Sequence, residues 1–351
     1  MVVNKIKFMK KILITGGAGF IGSNAAEYFF KKKWKIYILD NLSRKGSESN
    51  LSRLKKNIKV IFVKCDIRNF KNLSNVVKKI NPHAIIHAAG QVAVTTSFIN
   101  PREDFEINAL GTFNLLESIR INKLKPVIIY TSTNKVYGNL DSKKVKVIKK
   151  RYTYKDNTKG IDEKTKTDFH SPYGCSKGAA DQYMSDYHRM YNINSYVVRQ
   201  SCIYGTNQFG IEDQGWLAWF VIASIIGKKI TIFGDGKQVR DLLYIDDLNR
   251  LFEALINNKK KNIERVYNAG GGYNKSLSIL ELLDMLEKII GKKIKVRFSK
   301  WRMGDQKIYI SNNSKLKKNF NWRPSISPNI GVNKLVNWAY KNKIILNKIL
   351  K

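Results

Sequence analysis

Tyr173 and Lys177 stand four residues apart in Ser171-Pro172-Tyr173-Gly174-Cys175-Ser176-Lys177. Ser171 is a good N-cap and Pro172 a good first helical residue, so a helix is predicted to start beside the tyrosine, with both side chains on one face. An ammonium near a phenol favours the phenolate, which makes the pair a candidate general base for an alcohol near neutral pH. The same spacing also describes an ordinary surface helix. Its position after a run of β-type segments raises it above that.

A second constellation is Thr15-Gly16-Gly17-Ala18-Gly19-Phe20-Ile21-Gly22. Gly16, Gly19 and Gly22 allow a tight turn and a close backbone approach to a pyrophosphate, with Phe20 and Ile21 opening the helix whose positive end would face it. Asp40 ends the next β-type run 18 residues after Gly22. A carboxylate there accepts from a ribose 2′-OH and repels a 2′-phosphate, so NAD is preferred to NADP. Arg44 stands ready for the opposite role, four residues on.

These groups need a sheet to hold them. Short β-rich runs at 11–15, 36–39, 60–63, 84–86, 127–130 and 195–198 alternate with helical patterns, for example 24–32, 73–80 and 111–121. That alternation predicts an α/β fold, a doubly wound parallel sheet of Rossmann-like type with a smaller C-terminal substrate-binding part. The division expected is 1–201, mainly dinucleotide-binding, and 202–351, mainly substrate-binding with some segments returning to the sheet. Stretches 205–216, 234–247 and 267–274 look loop-like, between helices at 216–226, 248–257 and 278–290. The Lys-rich stretch 143–168 reads as an exposed loop. Residues 1–8, ahead of Met9, are expected to be a loose tail or to precede an alternative start.

Composition narrows the function classes. Of 351 residues, 43% are apolar and 26% charged, which fits a large core and a solvated surface. No apolar run reaches the roughly 18–20 residues of a membrane span. The 64 Lys and Arg against 27 Asp and Glu give +37, but only 14 of the 64 are Arg, and the lysines are spread along the whole chain. Nucleic-acid readers cluster basic residues and favour the planar fork of Arg, so nucleic acid is a disfavoured partner. The excess would instead steer anionic small molecules. Cys65, Cys175 and Cys202 lack disulfide or metal spacing, and the four histidines lack ligand spacing. No metal is expected, and a reducing cytoplasm is the expected compartment.

In order, the glycine motif, Asp40, Asp66-Ile67-Arg68, His87-Ala88-Ala89-Gly90, Asn108-x-x-Gly111-Thr112, Thr131-Ser132-Thr133 and Tyr173-x-x-x-Lys177 resemble the extended short-chain dehydrogenase/reductase family. Its members are NAD-dependent epimerases and dehydratases that modify nucleotide sugars. The resemblance runs from Lys10 into the C-terminal region, through Arg240-Asp241 and Trp301-Arg302-Met303-Gly304-Asp305. Segments around Asp40–Gly46, Ser132–Gly138, Asp168–Met184 and Asp213–Trp216 are similar to the branch that inverts C2 of a CDP-linked dideoxyhexose.

The resemblance implies roles. Thr133, Tyr173 and Lys177 would be catalytic: Thr133 bonds the reacting sugar oxygen, Tyr173 is the base, and Lys177 holds the nicotinamide ribose while lowering the tyrosine pKa. Tightly bound NAD, not consumed, would be held by the glycine loop with Phe20 and Ile21, by Asp40, Asn41, Ser43 and Arg44, by Asp66 and Ile67 at adenine, and by Ala88, Ala89, Gly90, Asn108, Tyr173 and Lys177. Gln91, Thr133, Gln208, Arg240 and Arg302 would meet the substrate, the two arginines at its diphosphate. A homo-oligomer, dimer or tetramer, is implied, with the 173–191 helix a candidate for pairing with a copy of itself.

Two departures stand out. Cys202 and Thr206 replace the Asn and Pro of many relatives, and Asn134-Lys135 follow the catalytic Thr133, where the 4,6-dehydratases carry an acidic pair. The dehydratase reaction is thereby disfavoured. A 4-epimerase or a reductase would use the same catalytic residues, and only the resemblance points to C2 and to cytidine. A non-catalytic NAD- or nucleic-acid-binding protein is opposed by the intact Thr133, Tyr173 and Lys177. Trp216, Trp219 and Phe220 are expected to pack in a core or subunit face rather than against a base.

Overall fold

The computed structural model describes residues 10–156, 158–260 and 263–350. The segment 1–8, Met9 and Lys261 of the basic run at 259–261 lie outside the described residues. Among those described, seven strands form one parallel sheet in the order Val266–Ala269, Ser195–Gln200, Val127–Thr133, Ala84–His87, Lys11–Thr15, Lys35–Asp40, Val60–Lys64. The order reverses between Lys11–Thr15 and Ala84–His87. In an open α/β sheet the crevice beyond the carboxyl ends of such strands is where a ligand binds.

Both faces of the central strands are covered, which is why Ile12–Ile14, Ala84–Ile86 and Ile128–Tyr130 are continuous buried runs rather than alternating ones. Ile12 and Ile14 point into a core shared with helices Phe20–Lys31, Trp216–Ile226 and Ile245–Ile256. Leu13, between them, points into the opposite core with Leu73, Leu115 and Met184 from helices Phe70–Ile80, Gly111–Ile121 and Ser171–Tyr191. Each such fully buried aliphatic contributes about 1.5–3 kcal/mol, so these cores fix the strand ends that carry the site.

Several boundaries differ from the sequence expectation for local reasons. The first helix starts at Phe20, not residue 24, because Gly19 takes the N-cap position in extended backbone. Residue 278 caps its helix rather than joining it: Ser278 and Glu281 form a reciprocal capping box before Ile279–Ile290. Three stretches expected as loops contain strands. Val266–Ala269 is the seventh strand of the main sheet. Val239–Tyr244 pairs with Cys202–Tyr204, Ile308–Tyr309 and Ser276–Ser278 in a small second sheet. Within 143–168, Val145–Ile148 and Arg151–Tyr154 form an antiparallel hairpin. These strands are two to six residues long and partly polar, so neither length nor alternation marks them. A third core, including Val136, Tyr137, Tyr154, Val239 and Tyr309, joins hairpin and small sheet to the turn after Thr133.

Among the described residues no helix is long and apolar enough to cross a membrane, and no group of three or more His, Cys, Asp or Glu could hold a metal ion. Cys65, Cys175 and Cys202 are free thiols.

Candidate active site

The first strand delivers Thr15 to the glycine turn. Gly16 has φ +64°, and a Cβ added there would lie 2.6 Å from the backbone nitrogen of Ala89. At Gly22 it would lie 2.3 Å from the Gly16 carbonyl oxygen, so turn and helix touch backbone to backbone. Gly19 differs: its added Cβ would meet only the Gly16 carbonyl, at 3.1 Å, which leaves that face open. Below the turn, the imidazole of His87 is fully buried between the hydroxyls of Thr15 (2.6 Å) and Thr112 (3.0 Å). Burial and the Lys177 charge push its pKa down to about 3, so it is a neutral pin between first and fourth strands.

The turn opens on a cleft of about 480 Å³ lined by Gly16, Gly19, Asp40, Asn41, Ser43, Arg44, Asp66, Ile67, Ala88, Ala89, Gly90 and Gln91. That volume falls within the roughly 300–1,000 Å³ of small-molecule and cofactor sites. Asp40 accepts from the backbone N–H of Ala18 (3.0 Å) and of Leu42 (2.8 Å), which ties the glycine turn to the end of the second strand. Burial raises its carboxyl above the usual range, against those hydrogen bonds. Asp66 accepts from Arg68 (2.8 Å) and Asn41 (3.0 Å), and its pKa falls to about 2, chiefly through Arg68. Arg44 lies exposed at the rim. The open Gly19 face, the helix N-terminus and the carboxylate at the second strand end fit a dinucleotide without a 2′-phosphate.

Thr133 ends the fifth strand and Tyr173 lies in the first turn of the Ser171–Tyr191 helix, whose N-cap is His170 rather than the expected Ser171; Ser171, the first helical residue, accepts at Oγ from Gly174 N–H at 3.1 Å. The two catalytic candidates are near neighbours: Thr133 acts on the Tyr173 phenol, while Thr133 Oγ1 accepts from the Lys135 backbone N–H at 3.2 Å. Lys177 lies one turn on, but its Nζ donates to the Thr131 carbonyl at 2.7 Å and sits 4.3 Å from the centroid of the Tyr130 ring. Burial pushes the Tyr173 phenol up to about 12; Thr133 lowers it and Asp104 raises it. Burial likewise pulls Lys177 down to about 7, opposed by Asp104 and Asp181. In the protein alone, desolvation is the largest influence on both groups.

Asn108 sits in a π-helical turn, Glu106–Leu110, where its amide donates to Asp104 (3.2 Å) and Ser176 (3.1 Å) and accepts from the Gln91 backbone N–H (2.9 Å). Asp104 is 1% exposed and also accepts from Ser176 and the Gln91 side chain. Beneath Thr133, Asp181 takes a two-pronged contact from Arg199 (2.9 Å each) and a bond from Ser132 (2.7 Å). Arg199 also donates to Tyr137, whose hydroxyl reaches Asn268 at 2.8 Å. One buried ion pair thus joins three strands, a helix and the turn after Thr133.

A second cavity, about 210 Å³, is lined by Lys135, Asp213, Trp216, Phe220, Phe233, Arg240, Arg302 and Asp305 among others. Arg302 stacks 3.6 Å over the Phe233 ring and pairs with Asp213 at 3.1 Å. The Arg240 guanidinium donates to the carbonyl of the preceding residue, Val239, at 2.8 Å. Cationic forks beside aromatic faces suit a nucleoside diphosphate. A wider depression of about 750 Å³ near Tyr154 and Tyr273 contains none of the predicted site residues.

Most predicted cofactor residues converge on the first cleft. Ile21 packs against the core and Gly22 serves the turn, while Phe20 lines a small neighbouring cavity with Gln208. Gln91, assigned to the substrate, lines the dinucleotide cleft, its amide committed to Asp104 and the Ala93 carbonyl. Gln208 is buried and donates to the Ile203 carbonyl at 3.4 Å, away from Arg240 and Arg302. Trp219 and Phe220 belong to the buried core and Trp216 packs against it, as expected; Trp216 and Phe220 also line the second cavity. Lys135, Asp104 and Asp305 were missed. Only the departure at Asn134-Lys135 gave a signal for the first.

The geometry agrees with comparisons to known proteins. The chain is 44% identical over 336 residues to CDP-paratose 2-epimerase of Salmonella typhi, covering 94% of this chain and 99% of that protein. It is 32% identical over 332 residues to a putative UDP-glucose 4-epimerase of Methanocaldococcus jannaschii, with the same coverages. The crystal structure of UDP-glucuronic acid 4-epimerase from Bacillus cereus, in complex with UDP-glucuronic acid and NAD, superposes with a TM-score of 0.81 at 28% identity, covering 94% and 99% of the two chains. The model of one family, described as GDP-mannose 4,6 dehydratase, matches residues 13–335, which take in the glycine turn, the Thr133–Tyr173 pair and both arginines; the chain belongs to that family, within the extended short-chain dehydrogenases/reductases.

Proposed function

We propose that this protein is an NAD-dependent isomerase that converts CDP-paratose to CDP-tyvelose by inverting C2 of the sugar. The observation that carries the reading is the placing of Thr133 at a strand end and of Tyr173 in the first turn of a helix, with Asn134 and Lys135 after Thr133 instead of an acidic pair. The likeness to an enzyme of that name supports the choice of C2 and cytidine.

Tyr173 takes the proton of the C2 hydroxyl, and Thr133 holds the same oxygen by hydrogen bond. NAD⁺ in the dinucleotide cleft supplies the acceptor for the C2 hydrogen and returns it, so no net redox occurs. The positive charge of bound NAD⁺ would also favour the ionised Tyr173 phenol, against the burial that raises it in the chain alone. Lys177 orients the ribose next to the reacting carbon. The 2-keto sugar turns its other face while Arg240 and Arg302 anchor the diphosphate, and Tyr173 then returns the proton.

Residues 1–201 form mainly the NAD part and 202–351 mainly the nucleotide-sugar part. The enzyme works in the cytoplasm and supplies a CDP-linked dideoxyhexose for a cell-surface polysaccharide such as the O-antigen of lipopolysaccharide. It works as a homo-oligomer, dimer or tetramer: Ile121, Tyr183, Met190 and Tyr191 are exposed on two neighbouring helices, an apolar face suited to a second copy.

The test is incubation of the purified protein with CDP-paratose and no added NAD, followed by proton NMR at C2. Appearance of the C2 epimer is the expected result. No conversion, with NAD released on denaturation, would move the substrate to another nucleotide and the chemistry to C4.

A further inference from the structure

We propose that Lys135 is a third cationic contact for the substrate diphosphate, placed at its sugar-side phosphate; this rests on the nucleotide-sugar reading above. Lys135 stands two residues past Thr133, at the start of the short turn Asn134–Tyr137. Its backbone N–H donates to Thr133 Oγ1 at 3.2 Å, so its position is tied to the hydroxyl that meets the sugar. Its side chain runs into the second cavity, beside Arg240.

The electrostatics of that wall ask for an anion. Nζ donates to the Gly304 carbonyl at 2.8 Å, which uses one of three protons. Gly304 lies two residues past Arg302, so one short loop carries both the arginine and the carbonyl that aims the lysine. Asp305 is the carboxylate that opposes the two cations Lys135 and Arg240, while Asp213 is taken by Arg302. Burial, with Arg240 adding to it, pulls the Lys135 ammonium down to about 8. Gathering cations out of water is costly unless a ligand's negative charge offsets it. A diphosphate supplies that charge and accepts the two remaining N–H groups. Lys135 comes from the Thr133 side, whereas Arg302 is stacked on Phe233, so the lysine falls to the phosphate nearer the sugar.

The experiment measures binding of matched nucleoside diphosphates and monophosphates (cytidine, uridine, guanosine and thymidine series) to the NAD-containing protein by calorimetry. Lys135→Met should weaken the preferred diphosphate about tenfold or more, the scale of one charge-assisted hydrogen bond, leave the monophosphate within about twofold, and leave the NAD content unchanged. Lys135→Arg should restore most of the loss. Diphosphate affinity of the parent should also fall as pH rises past about 8, while Lys135→Arg stays flat; the other charged groups that face the cavity, Arg240, Arg302, Glu212, Asp213 and Asp305, are the same in both proteins and cancel in the comparison. That pH comparison decides the matter even where Lys135→Met fails to fold. Unchanged diphosphate binding in Lys135→Met, equal losses for both nucleotides, or matching pH profiles in parent and Lys135→Arg would overturn the assignment alone. A parent that prefers no diphosphate over its monophosphate would overturn the nucleotide-sugar reading, and the assignment with it.

Discussion

The two cavities, one lined by Gly90 and Gln91 past the fourth strand and the other by Lys135 past the fifth, are made of different materials. The dinucleotide cleft is shaped by backbone: glycines at 16 and 22 pressed against neighbouring main chain, a helix N-terminus, and a carboxylate, Asp40, held by two backbone N–H groups. The second cavity is shaped by long charged side chains, Lys135, Arg240 and Arg302, brought from positions more than 60 residues apart. A backbone site tolerates no change of shape and little depends on charge. A side-chain site tolerates changes of shape and depends on charge throughout.

The reacting residues should give the largest effect, because both cavities serve them. Tyr173→Phe is expected to lower turnover by about a thousandfold or more, the upper range for loss of a general base, with NAD and nucleotide still bound. Steady-state rates, and nucleotide released on denaturation, check this; a rate within tenfold of the parent would remove Tyr173 from its role. Gly19→Ala tests the backbone side. Its methyl would meet only the Gly16 carbonyl, at 3.1 Å, so Tm should move by less than about 4 °C, the shift of roughly 1 kcal/mol in a chain of this size. Bound NAD should nevertheless fall at least about tenfold, because the methyl occupies the face the pyrophosphate approaches. A large Tm loss with NAD retained would mean that Gly19 serves packing, like Gly22.

The same contrast explains what could be read from the sequence. Glycine spacing, Asp40 and the Tyr173–Lys177 pair are local patterns whose meaning survives without knowing the rest of the fold, and six of the seven sheet strands announce themselves as apolar runs. Val266–Ala269 did not. Its four residues include Asn268, which is buried because Tyr137, Glu163 and Ile161 satisfy it, a tertiary reason invisible in sequence. Lys135 was legible only as an absence of acid after Thr133; its meaning depends on Gly304, 169 residues away. The protonation of Tyr173 and Lys177 was not legible for a related reason. Spacing on a helix says that two groups are near, but the depth to which the helix is buried decides which way each moves.

Arg302→Gln sharpens the other half of the comparison. It removes the pairing with Asp213 and the stack on Phe233, and is expected to raise KM for the nucleotide sugar about tenfold through one lost charge-assisted contact. NAD content and Tm should stay at parental values. If NAD content falls as well, the two cavities are not independent and the division into a backbone site and a charge site fails.

The smallest expected effect lies at an ion pair on the wall of the backbone cleft. Asp66 lines it, and Arg68 holds its pKa at about 2 in the folded chain, against about 3.9 in an unfolded one. The folded value is the lower, so the folded state favours the ionised form. The stability this contributes is complete above about pH 4 and is lost as pH falls toward about 2. Arg68 is a third exposed, so solvent screening reduces the contribution to about 1 kcal/mol. Asp66→Asn should therefore be about 1 kcal/mol less stable than the parent in urea unfolding at pH 7, with the gap narrowing between about pH 4 and pH 3. A gap that is constant across that range would assign the loss to the Asn41 and backbone hydrogen bonds rather than to charge, and would make the dinucleotide cleft a backbone site throughout.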